Sequence, residues 1–243
     1  MKTSTPATAL MLGISLLILS ASLATADGLQ DLVSDAHRTV VRFGADPEMD
    51  WFRDNVKEAK GVLIVPRLMR GGFIFGGAGG SGVLLARDPQ SGMWSYPAFY
   101  TMGSVSVGAQ IGGEAAEVVF MIMSQRGLDS MLATSVKLGA DVEIAAGPVG
   151  AGTKAATADI LAFSRAKGFF GGATVDGAVI AAREGWNEEY YGHPVTTRDI
   201  LLHRGVKNAQ ADALREAMAK VAGGVWAPAT TAATAPAPAL KSN

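Results

Sequence analysis

The sequence predicts an α+β fold, a curved, barrel-like antiparallel β-sheet with helices packed at its N- and C-terminal ends. Three observations predict it. Apolar residues recur at helical spacing near both ends of the chain, a series of short β-rich runs fills the middle, and 30 glycines accompany those runs. Helices segregated from strands give an α+β arrangement. Glycines within strands mark bulges and corners where a sheet bends or backbones approach closely.

From Leu29 to Phe43, apolar residues fall at Leu29, Leu32, Val33, Ala36, Val40 and Phe43, the spacing of a helix with one apolar stripe. Glu48 to Lys60 repeats the pattern more weakly through Met49, Phe52, Val56 and Ala59, and Asp46-Pro47 is a favourable helix start. The character then changes. Gly61–Pro66 reads as a strand, followed by a turn at Arg70–Gly72 and a strand at Phe73–Phe75. Val83–Ala86, Trp94–Tyr100 and the alternating Ser104–Ile111 follow, the last as a half-buried strand. Val118–Met123 is a continuous apolar run suited to a central strand. Gln125–Leu132 reads as a short helix. Further strands are expected at Val142–Ala146, Ile160–Ser164, Gly168–Gly171 and Thr174–Ala181. Past Gly185 the chain turns helical. Thr196 and Asp199 have capping-box spacing, Gly205 is placed to end that turn, and Val206–Val221 carries Ala213, Leu214, Ala217, Met218 and Val221 on one face.

The two ends differ from this middle. A lone Lys2, an apolar run from Ala7 to Leu19 and small residues ending in Ala24-Thr25-Ala26 follow the order of a secretory signal. The expectation is residues 1–26 as a signal peptide cleaved near Ala26, with the product exported to a periplasm or secreted; the alternative is an uncleaved anchor. Residues 27–226 form the folded domain. Residues 227–243 are an Ala/Pro/Thr tail without periodicity, expected to be disordered. Lys and Arg number 21 against 22 Asp and Glu, a near-neutral balance that argues against nucleic acid as a partner. The chain has no cysteine, which removes disulfides, thiol nucleophiles and thiolate metal sites together.

Gly77–Gly82 satisfies G-x-G-x-x-G, but a dinucleotide site also needs a following helix and an acid about 20 residues on. Here Val83–Ala86 is strand-like and Glu114 lies too far away, so a glycine-rich hairpin is expected and no nucleotide partner. His37, His193 and His203 show no metal-ligand spacing, and no serine sits in a G-x-S-x-G elbow. No cofactor and no catalytic residue is expected. The basic residues offer the remaining candidates. Lys57, Lys60, Arg67 and Arg70 lie close together around the first strand, and Arg165 with Lys167 forms a second pair. Such clusters hold anionic lipid headgroups or form a solvated rim.

Several blocks in order carry a family resemblance: Ala59–Pro66, the Gly-Gly-Phe and Gly-Ser-Gly-Val segments ending in Ala86-Arg87, Gly92–Pro97, Gly108–Gly112, Ala145–Gly150, Phe163–Gly171, Asp176-Gly177, Asn187 and Tyr191-Gly192. Over roughly Leu29 to Val221 the chain resembles the SYLF family of lipid-binding and actin-associated domains, as an exported, bacterial-type member. The resemblance implies a non-enzymatic domain, whose eukaryotic relatives bind phosphoinositides through basic and amphipathic N-terminal elements or bind actin. It implies anionic membrane lipids as partners, or an envelope protein as the alternative. The mixed charge of the leading helix and the absence of an attached Src-homology domain depart from the eukaryotic pattern.

Overall fold

The structure, a computed structural model, describes residues 26–72, 75–107, 112–147, 158–165 and 177–224. The expected signal and tail, the strand at Gly168–Gly171 and Lys167 lie outside the described residues. The leading helix, α1, spans Ala26–Ala45 and buries its predicted stripe at Leu29, Val33, Ala36, Val40 and Phe43, all at 1% exposure or less, with Leu32 at its edge only partly buried. The second segment is not one helix. It is a 3-10 turn at Pro47–Met49 started by Asp46, a short helix α2 at Asp50–Asn55, and another 3-10 turn at Val56–Glu58. Breaking it into tight turns places Phe52 against both Phe43 and Phe163, with ring centroids 5.7 and 5.6 Å apart.

Eight strands follow: β1 Gly61–Gly72, β2 Phe75–Ala86, β3 Ala98–Val107, β4 Gly112–Ile122, β5 Ser135–Lys137, β6 Ile144–Ala146, β7 Ile160–Ser164 and β8 Val179–Ala182. A helix α3 spans Gln125–Met131. The sheet order is β5-β8-β3-β2-β1-β4-β7-β6, so β1 lies at the centre. The α+β class and the curled sheet stand as expected, but the sheet is open, and β6 pairs β7 in parallel while every other strand pair is antiparallel.

One row across the sheet, Phe99–Val83–Ile64–Val119–Phe163, is fully buried beneath the helices. Phe99 meets Tyr190 of α4 (Glu184–Tyr191) edge-on at 4.9 Å. The reverse face, with Leu63, Leu84, Ala98 and Phe120, is buried as well. There α3 closes the curl: Tyr100 donates its hydroxyl proton to the Met131 carbonyl at 2.6 Å. Strands buried on both faces read as continuous apolar runs, which is why Val118–Met123 carries no alternation.

The curl has a definite origin. Between Ile64 and Met69, β1 carries one residue more than β2, and between Val65 and Leu68 one more than β4, so Pro66 and Arg67 form a bulge. At the bulge the β1 backbone lies over β2. A Cβ on Gly80 would stand 2.6 Å from the Arg67 carbonyl oxygen, and one on Gly82 would collide with the Ile64 carbonyl. The glycine motif is therefore the paving of a strand.

The chain closes with helix α5 at Asp212–Val221, which runs parallel to α1: Gln30 bonds the Gln210 carbonyl where both begin, and Gly44 packs on Val221 where both end. Before it, Thr196 and Asp199 exchange hydrogen bonds as a capping box, with the Thr196 hydroxyl 2.6 Å from the Asp199 carboxylate. The turn they start is π-helical, Asp199–His203, and it ends on Arg204 in the left-handed region at φ 56°, one residue before the glycine expected there. Residues 206–208 lie outside any helix and a 3-10 turn follows at Ala209–Ala211, so the final helix begins later than its periodicity suggests.

Gly80→Ala is expected to destabilise the domain by about 1–3 kcal/mol, the range for overpacking against a backbone that cannot yield. Urea unfolding should show it, with Gly185→Ala, where a Cβ meets nothing within 4 Å, as the comparison.

Candidate functional site

The bulge divides the sheet. On its near side the helical face is covered; on its far side the same face continues without cover from the described helices. Directly paired residues share a face, so Met69, Gly79, Gly103 and Val179 form one row across β1, β2, β3 and β8, and Gly71, Gly77 and Val105 form the next. Met69 is 51% exposed, Val179 42% and Val105 78%. The glycines between them leave this face shallow and apolar. By alternation Arg67 lies on the Met69 side, and it is exposed.

The predicted basic cluster is split by the strand that carries it. Lys57 is exposed in the second 3-10 turn, and Lys60 precedes β1, its amide donating to the Ile122 carbonyl at 2.7 Å. Arg70 lies near the other end, in register with Ala78 and Glu114. At about 3.3 Å per residue the strand sets Lys60 and Arg70 roughly 30 Å apart. Arg67 thus borders the exposed face, Arg70 lies beside it in the alternate row that belongs to the reverse face, and Lys57 and Lys60 lie at the other end of the strand. Val105 also departs from expectation: in the alternating Ser104–Ile111 run, the apolar Val105 faces outward.

Arg165 is held by ion pairs inside the protein. It bonds Asp46 at 2.7 Å and Glu117 at 2.8 Å, and Glu117 also accepts from Thr39 at 3.0 Å and from Arg42 of α1. This network ties the end of α1 to β4 beside the uncovered face. Burial works to raise the Glu117 carboxyl, but hydrogen bonds from Arg42, Thr39 and Arg165 overcome it and hold the group below its ordinary range. The Arg165 guanidinium and the Glu48 amide likewise lower Asp46.

Asp159, buried at 5% exposure, anchors the other side of the sheet. It accepts from Ser124 at 2.5 Å, from Arg126, and from the Glu143 amide at 3.0 Å. Ser124 in turn caps α3 through the Gly127 amide at 2.9 Å. The Arg126 hydrogen bond first, then those of Ser124 and Glu143, carry the Asp159 carboxyl down to about 2. Asn187, fully buried, joins β3 to the C-terminal helices by accepting from the Phe99 amide at 2.9 Å and donating to Thr197 at 3.2 Å. These polar groups are satisfied and serve packing.

Among the described residues no group of three or more His, Asp and Glu could hold a metal ion. No helix among them is long and apolar enough to cross a membrane.

The lowered carboxyls give a pH dependence of stability. A folded-state pKa below the unfolded value contributes stability above about pH 4 and loses it as pH falls towards 2. Asp159→Asn is expected to cost about 2 kcal/mol at pH 7. Its deficit relative to the native chain should shrink between about pH 5 and pH 2 in denaturant titrations.

Residues 103–221 match the Ysc84 family, described as a Las17-binding protein actin regulator. The chain is 35% identical over 170 residues to LAS seventeen-binding protein 3 of Saccharomyces cerevisiae, covering 67% of this chain and 36% of that protein. It is 33% identical over 180 residues to Protein YSC84 of the same yeast, covering 71% and 38%. With human SH3 domain-containing YSC84-like protein 1 it shares 27% over 167 residues, covering 66% and 48%. The chain thus spans a third to a half of the length of these curated relatives. No solved structure matches it. On these matches the chain belongs to the SYLF, or Ysc84, domain family.

Proposed function

We propose that the domain is a non-enzymatic interaction module that meets anionic phospholipid headgroups in the cell envelope, reached from solution after export. The observation that carries this reading is the uncovered face beyond the bulge, where Arg67 stands beside exposed Met69, Val105 and Val179. Apolar side chains on a shallow surface enter the headgroup boundary, and a neighbouring guanidinium adds about 1 kcal/mol of attraction to an anionic surface. Arg67 has no ion-pair partner among the described residues, so its charge is available to a partner. A protein partner is the second reading, favoured by the name of LAS seventeen-binding protein 3 and by the family's description as a Las17-binding protein actin regulator.

Co-sedimentation with phosphatidylglycerol vesicles against phosphatidylcholine vesicles tests the proposal. Binding to the first is expected, weakening as salt shortens the reach of surface charge. Met69→Asp with Val105→Asp should abolish it, and Arg67→Glu should weaken it several-fold. Lys57→Glu, at the other end of β1, should leave it unchanged. Equal sedimentation with both vesicles, or insensitivity to Met69→Asp with Val105→Asp, overturns the lipid reading.

A further inference from the structure

At the near end of the sheet, three residues lie side by side across three backbone segments. The Arg87 amide donates to the Lys60 carbonyl at 2.8 Å, and Arg87 forms an antiparallel bridge with Trp94. Paired residues put their side chains on one face with Cβ atoms about 5 Å apart. Lys60 and Arg87 are therefore like charges directly opposed, an arrangement that is unfavourable unless a negative group compensates it. Neither has an ion-pair partner among the described residues.

The same row holds the two buried side-chain polar atoms that lack a hydrogen-bond partner among the described residues: Arg87 Nε and Trp94 Nε1. Trp94 is 2% exposed. Both atoms are N–H donors, and neither side chain can accept. Buried donors are ordinarily paired, so two on adjacent paired residues call for one acceptor shared between them. The protein's nearby carboxylates are committed elsewhere. Asp88 accepts from the Gln90 and Ser91 amides and lies 3.8 Å from Arg204 Nε, while Asp212 accepts from the Tyr96 hydroxyl and from Arg215. Two further cations close the surroundings: Arg204 donates to the Met93 carbonyl at 3.1 Å, and Arg215 Nε donates to the Trp94 carbonyl at 3.1 Å. The neighbourhood therefore has donors and positive charge in excess of acceptors.

We propose that Arg87 Nε, Trp94 Nε1 and the Lys60 ammonium form a binding site for a phosphate-type oxyanion, free or as a lipid headgroup. An acceptor-only, multiply charged oxyanion answers both unmatched features at once, the unpaired donors and the opposed cations. A water molecule would satisfy the donors and leave the charges opposed. The site is independent of the face around Arg67 and Met69, from which it is separated by most of the length of β1.

The test follows the indole N–H signals of the full chain by 1H–15N correlation during titration with inorganic phosphate, against sodium chloride at matched ionic strength. Trp51→Phe, Trp186→Phe and Trp226→Phe assign the signals of the four tryptophans by elimination, so the assignment does not depend on Trp94→Phe folding. The Trp94 signal is expected to shift and saturate with phosphate and not with chloride. Arg87→Gln should weaken the response about tenfold or more, as loss of a charge-assisted donor requires. Lys60→Gln should weaken it less. A parallel titration with short-chain phosphatidylglycerol below its micelle concentration names the source, since saturation by phosphate alone marks a free anion and saturation by the lipid marks a headgroup. No Trp94 response to either, the same response to chloride, or an undiminished response in Arg87→Gln overturns the proposal. Because free phosphate is the primary probe, this outcome is separate from that of the vesicle experiment.

Discussion

At Gly80 and Gly82 the backbone of β1 lies so close over β2 that no Cβ fits between them, and the bulge at Pro66-Arg67 can form only because of that gap. The consequences spread in both directions along the sheet. On the near side the bend lets both faces be buried, one under α1 and the C-terminal helices and the other under α3. On the far side the same strands leave the protection of the helices and present Met69, Val105 and Val179 to solvent. Packing and exposed surface are thus two results of one close approach.

Polar groups then fix the angle at which the layers meet. Glu117 gathers Thr39 and Arg42 from α1 and Arg165 from the end of β7, so helix and sheet are joined where the covered region stops. Asn187 does the same for β3 and the C-terminal helices, and Asp159 for α3 and the β6–β7 edge. Each is buried or half-buried and fully partnered, the condition under which buried polar groups specify one arrangement instead of costing stability. Against this background, the unpartnered donors of Arg87 and Trp94 stand out as a different kind of feature.

Much of the fold was legible because it rests on local periodicity. The stripe of α1, the apolar run in β4 and the Thr196–Asp199 box each depend on residues within a few positions of one another. What was hidden depends on register. Pro66 read as the end of a strand, whereas β1 continues through a bulge to Gly72 and carries Lys60 and Arg70 to opposite ends. Val105 read as an inward residue because alternation says which side chains share a face and not which face is covered. Arg204 occupies the left-handed position that Gly205 was expected to take, its guanidinium bonding the Met93 carbonyl. The pairing of Lys60, Arg87 and Trp94 joins three segments distant in sequence, and no spacing rule announces it.

The parallel contact of α1 and α5 also sets a distance. Gln30 meets Gln210 where α1 begins, and Gly44 meets Val221 where both helices finish. At 1.5 Å per residue the 20-residue α1 separates its own start from the end of α5 by about 30 Å. A tether fused before Ala26 and another fused after Gly224 would leave the domain from opposite poles. The domain would then act as a rigid spacer of fixed length, holding two attached bodies apart while its sheet stays open between them.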